Sequence, residues 1–127
     1  MADNALYVVG QKRFVQTMRK AGADMQELKE VNRRAADIAK PEAVARAPRG
    51  KTGRLAGSIR AGATQKAGII RAGRKTVPYA GPINYGWPAR NIRPRTFVND
   101  AVASTESQWA KEYETFVKKT MNQIKGA

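Results

Sequence analysis

The chain contains no cysteine and no histidine. Disulfides, thiol nucleophiles, imidazole bases and the usual zinc ligand sets are therefore all excluded. No apolar run approaches the roughly 20 residues that a membrane-spanning helix requires. The opening MADNALYVVG has neither the basic start nor the long apolar stretch of a cleaved export signal, so the expectation is a soluble protein with no membrane partner. The most telling absence is of negative charge: from Ala43 to Asn99 there is not one carboxylate.

What is present is a large excess of the opposite sign. The 127 residues carry a formal net charge of +14, which makes the isolated chain repel itself unless counter-charge is close by. The ends are nearly balanced, with eight basic residues against five acidic in 1–40 and four against three in 101–127, while 41–100 holds twelve against two. Such concentration calls for a polyanion or an acidic neighbour. An apolar fraction of 42% is enough to fold, and the length fits a single domain over 1–127.

The ends read as helices. Phe14, Met18, Ala21, Met25, Leu28, Ala35 and Ile38 recur at spacings of three and four, with Val31 beside the stripe, which predicts a helix over 11–46. Within it Gly22 is a weak point, Glu30 and Arg34 make an i, i+4 pair, and Pro41 kinks or ends the run before PEAVARA resumes it. A second stripe, Val98, Ala101, Val102, Trp109, Tyr113, Phe116, Val117, Met121 and Ile124, predicts a C-terminal helix over 98–125, with Thr105 and Gln108 as a capping box.

The middle changes period. Glycines and β-branched residues predict a sheet region over 53–86, with strands near 53–61, 68–74 and 79–85 and ATQK as a hairpin connection. Residues 87–97 form an irregular basic loop. The expected fold class is α+β: a long N-terminal helix, a small antiparallel sheet with long loops, and a C-terminal helix.

Chemistry is hard to find in this pattern. GKTG at 50–53 lacks the upstream glycine of a phosphate-binding loop, because Ala45 stands there, and a strand is expected to follow it. Ser58 has no base near it in sequence, and most carboxylates fall on polar helix faces. No catalytic, cofactor-binding or metal-binding residue is assigned, and the chain does not read as an enzyme. Candidate interface residues are Arg54, Arg60, Arg90, Arg93 and Arg95, whose guanidinium forks suit carboxylates across an interface, with Tyr79, Tyr85, Trp87 and Phe97 as apolar anchors. Arg71 and Arg74 extend the basic set.

APRGKTGRLAGSI at 47–59, VPYAGPINYG at 77–86 and PARNIRPRTFVNDAV at 88–102 occur in that order. The series resembles the tail-component family of tailed bacteriophages, small virion proteins related to the minor tail protein Z of lambdoid phages. There an N-terminal helix precedes a Thr-Gly-Arg-Leu and Ser-Ile run, a Pro-Tyr-Ala segment, a Tyr-Gly step, a proline-aromatic loop and a C-terminal helix. The family often has an acidic residue before Tyr-Gly, where this chain has Asn84.

The resemblance implies a non-enzymatic tail-completion or head–tail joining subunit without cofactors. It would be located in the virion, and in the host cytoplasm during assembly. It further implies a homo-oligomeric, hexameric ring contacting adjacent neck, tail-terminator or tail-tube proteins, with genomic DNA passing through its lumen. The alternative, carried by charge alone, is a small basic nucleic-acid-binding protein.

Overall fold

A computed structural model of the chain describes residues 5–9, 12–48, 53–73 and 96–125. In chain order the elements are β1 (Ala5–Val9), α1 (Lys12–Lys20), α2 (Met25–Arg46), α3 (Arg54–Gly57), β2 (Arg60–Ala63), β3 (Gly68–Arg71), α4 (Phe97–Ser104) and α5 (Glu106–Lys125). The α+β expectation holds, with a long helical N-terminal part, a small antiparallel sheet and a helical C-terminal part.

Helix α2 is the element on which the others close. Its buried residues are Leu28, Val31, Asn32, Ala35, Ala36, Ala39 and Ala43. Four of the seven are alanines with no exposed surface, and a methyl-only ridge lets neighbouring elements approach closely. One core cluster joins the alanine ridge to Leu55, Ile59, Ile70, Phe97, Val98, Ala101 and Val102. A second holds α1 through Val15 and Met18 against Leu28, Val31 and Phe116. Tyr113 touches both clusters, with Phe14 and Trp109 edge-on to its ring at centroid distances of 5.8 and 6.2 Å.

The N-terminal helix differs from expectation in being two helices. Gly22 adopts φ +80°, a left-handed conformation that glycine takes without a steric cost, and ends α1 in the manner of a C-cap. Asp24 then opens α2, its carboxylate accepting from the amides of Gln26 and Glu27. Ala21 of the expected stripe consequently lies exposed in the turn. Pro41 does not interrupt α2. It and Asp37, whose carbonyl a proline cannot bond, are both on the exposed side of the helix. Arg34 pairs not with Glu30 but with Glu112 of α5 at 2.7 Å, and Lys119 with Glu27 at 2.9 Å, both across the α2–α5 contact.

The C-terminal helix is likewise divided, at Thr105. The expected capping box is replaced by a different arrangement: the Thr105 hydroxyl donates back to the Ala101 carbonyl at 2.8 Å. Trp109 Nε1 donates to the Val102 carbonyl at 2.9 Å, fixing the angle between α4 and α5. The stripe is buried through Phe116, whereas Met121 and Ile124 are about half exposed.

The sheet has strand order β1-β3-β2, both pairings antiparallel. The sequence pattern predicts no strand at Ala5–Val9. ALYVV lacks alternation, and its partner among the described residues is the centre of the sheet about sixty residues downstream, so its pairing is a tertiary event. The expected strand over 53–61 is instead α3 followed by β2. Here the Gly57 amide bonds the Gly53 carbonyl and the Ser58 amide the Leu55 carbonyl, closing a helical turn that buries Leu55 and Ala56 together. The strand over 68–74 is β3 at Gly68–Arg71, and the ATQK connection is the observed link between β2 and β3. There the Thr64 hydroxyl accepts from the amides of Lys66 and Ala67. The strand expected at 79–85 and most of the basic loop lie outside the described residues.

Candidate functional site

Of the nine candidate interface residues, Tyr79, Tyr85, Trp87, Arg90, Arg93 and Arg95 lie outside the described residues. Arg54, Arg60 and Phe97 are described, and they have three different environments.

Arg54 opens α3. Gly53 enters it with φ +63°, and Leu55 and Ala56 insert into the core, so the first residue of the short helix is left at the surface. The motif GRLAG thus separates its labour: the apolar pair attaches it to α2, and the arginine faces outward.

Arg60 has structural work within the chain. Its Nη1 donates to the carbonyls of Ser58 and Gly73, each at 2.9 Å. Ser58 completes the arrangement: its buried hydroxyl donates to the Leu55 carbonyl at 2.6 Å and accepts from the Gly73 amide at 2.8 Å. Serine and arginine together tie the exit of α3 to the end of β3. Ser58, in sequence a serine without a base, is a fastening for the sheet. Ser58→Ala leaves the buried Gly73 amide without its acceptor, while the Leu55 carbonyl keeps the backbone amide of residue 58, and a destabilisation of about 2 kcal/mol is expected in urea unfolding with the m-value unchanged.

Phe97 corrects an expectation. At 3% exposure it belongs to the core cluster with Val98, Ala101 and Val102, and it begins α4 against α2. A ring already enclosed by its own chain offers no anchor to a neighbour. Proximity in sequence to the prolines and arginines of 88–95 suggested an interface residue, but Phe97 is the first apolar position of the α4 stripe.

The sheet carries its own basic feature. Arg60 and Arg71 are register partners on β2 and β3, and so project from one face. Gly62 lies under the Arg71 guanidinium, for a Cβ there would come within 2.8 Å of Nη1. That face is opposite the one bearing Gly68 and Ile70, which meets α2.

Two polar features lie outside the candidate set. Asn32 is 1% exposed within the apolar ridge of α2. Its Nδ2 donates to the carbonyls of Thr64 and Gln65 at 2.9 and 3.2 Å, and its Oδ1 accepts from the Tyr113 hydroxyl at 2.6 Å. One amide therefore joins the hairpin turn, α2 and α5. Burial pushes the Tyr113 phenol from 10.0 up to about 12, because the phenolate would lose its hydration. A polar residue four after Leu28 and three before Ala35 was the sequence signal for this network. The second feature is the outer face of α1, where Arg13, Gln16, Thr17, Arg19 and Lys20 are all exposed.

Among the described residues no group of three carboxylates could hold a metal ion, and no helix is long and apolar enough to cross a membrane. Comparison of the chain with protein-family models, with curated proteins and with solved structures finds no match.

Proposed function

We propose that the protein is a structural subunit of a tailed-bacteriophage virion, a tail-completion or head–tail joining component that assembles as a ring. The observation that carries the reading is the order of the three motifs at 47–59, 77–86 and 88–102 between two helical ends. The apolar residues of the first and third motifs meet in one cluster on the C-terminal half of α2, through Ala47, Leu55, Ala56 and Ile59 from one and Phe97, Val98, Ala101 and Val102 from the other. Their apolar positions have a common physical reason to occur together. The arginines that accompany them, Arg90, Arg93 and Arg95, are the chemistry offered to a neighbour.

A closed ring requires each subunit to present two different complementary surfaces. Guanidinium forks pair with carboxylates of an adjacent protein in a fixed geometry, and Trp87 supplies an apolar centre for such a contact. The Arg93→Glu and Trp87→Ala variants are expected to remain folded by circular dichroism and to abolish joining of heads to tails in a reconstituted joining reaction. Normal yields of joined particles with both variants would remove residues 87–95 from any interface. The charge of 41–100 favours a second reading, a nucleic-acid binder without a virion role. Nuclease-sensitive co-purification at physiological salt, together with normal particle assembly in the absence of the protein, would favour it.

A further inference from the structure

The charge of this protein is neutralised unevenly. Arg33, Arg34, Arg46 and Lys119 on α2 and α5 each have a carboxylate partner, and the exposed Lys29, Lys111 and Lys118, which have no ion pair among the described residues, lie on helices that carry carboxylates of their own. Helix α1, with the sequence KRFVQTMRK, contains no carboxylate at all. Its exposed Arg13, Arg19 and Lys20 have no ion-pair partner among the described residues. Arg19 and Lys20 at least suit the negative end of the helix dipole. Arg13 is in the first turn, where the dipole disfavours a cation, and no acidic residue accompanies it there.

The helix is also held in one orientation. Val15 and Met18 are buried and Phe14 is packed against Tyr113, so the opposite face, through Arg13, Gln16, Thr17 and Lys20 with Arg19 at its flank, points to solvent. The Thr17 hydroxyl is turned back onto the Arg13 carbonyl, leaving charge as the main chemistry of that face.

We propose that the outer face of α1 is a docking surface for the phosphate backbone of duplex DNA. The inference extends the connector reading, in which DNA passes through the ring. A lipid surface fits poorly, because an amphipathic helix binds membranes by inserting its apolar face, and that face is already buried in the fold. An acidic protein surface also fits less well. Protein surfaces mix both signs, and a helix without a carboxylate cannot reciprocate the partner's cations. A backbone of uniform negative charge asks only for cations held at the surface.

The test is binding of the full chain to a fluorescent 20-base-pair duplex of arbitrary sequence, across a series of salt concentrations. In the triple variant Arg13→Ser, Arg19→Ser, Lys20→Ser the slope of log affinity against log salt should fall by about 2 to 3 and affinity at physiological salt by about tenfold or more, as expected for losing phosphate contacts. A control triple, Lys29→Ser, Lys111→Ser, Lys118→Ser, removes equal charge from exposed positions on α2 and α5 and should change both much less. Should the triple variant melt before the assay temperature, Arg13→Glu serves in its place, since that substitution suits the dipole and should still reduce the slope.

Equal losses in both triples, or no loss in the α1 variants, would overturn the proposal, as would failure of the wild-type chain to bind DNA. None of these results bears on the ring itself. The joining reaction with Arg93→Glu decides that separately.

Discussion

Replacing Gly68 by alanine should lower the thermal midpoint by about 10 °C, a cost of about 3 kcal/mol at the upper end of what a forced core enlargement imposes. Gly68 begins β3 where the strand rests on α2. A Cβ built there runs into the backbone carbonyl oxygen of Asn32, with the carbonyl carbon at 3.2 Å and the Ala36 methyl at 3.5 Å. A helix backbone cannot yield as a side chain can, so either β3 lifts off the alanine ridge or the pairing with β1 and β2 is disturbed. Gly62 and Gly57 provide the contrast. A Cβ at Gly62 meets only the flexible end of Arg71, and at Gly57 it meets nothing within 4 Å. Gly57→Ala should therefore be neutral or slightly stabilising, since it reduces the entropy of the unfolded chain without a clash. Differential scanning calorimetry of the three variants checks the order. A Gly68→Ala protein melting within about 2 °C of wild type would mean that α2 and β3 are not in contact at that point.

The second large effect is expected at Asn32. Asn32→Ala leaves the Tyr113 hydroxyl without its acceptor and releases the hairpin turn from α2, with a loss of about 2 to 3 kcal/mol in chemical unfolding. Tyr113→Phe removes one hydroxyl and keeps the ring contacts with Phe14 and Trp109, so its cost should be nearer about 1 kcal/mol. Because each change removes the same bond, the double variant should be less destabilised than the sum, by about 1 kcal/mol. Additive costs would show that the bond contributes nothing.

The same pair predicts an alkaline response. In the folded chain Tyr113 is pushed up to about 12 by burial, whereas in the unfolded chain it titrates at its ordinary 10.0. The neutral phenol therefore supports folding in full below about pH 10, and that support is lost as pH rises through about 12. Tyr113→Phe has no such group, so the difference in stability between wild type and variant should shrink over that interval. A difference that stays constant from about pH 9 to about pH 12 would contradict the buried environment described for the phenol.

Part of this protein is legible in the amino-acid sequence. The three-and-four spacing of Leu28, Ala35 and their neighbours determined a helix at one end, and Val98, Ala101, Val102 and Phe116 determined helix at the other, because burying one face of a helix requires that period. The glycine-rich middle determined a hairpin at ATQK. Gly22 and Pro41 were both visible as irregularities, but their outcomes were opposite. The first broke the helix and the second did not, since Asp24 stood ready to cap a new helix whereas Pro41 faced water.

Tertiary structure decided the rest, wherever a residue's role depends on a partner far along the chain. Ala5–Val9 is a strand only because β3 is there to pair with it. Arg34 joins Glu112 rather than the nearer Glu30 because α5 lies against α2. Phe97, read from its neighbours as an anchor for another subunit, belongs to the core because α4 turns it towards the alanine ridge. Charge followed the same division: composition alone determined the excess of cations, but only packing selected which of them are paired, which are tied to carbonyls, and which, as on α1, remain turned outward. A local pattern records the period of burial, and the partner that does the burying is set by contacts that no window of sequence contains.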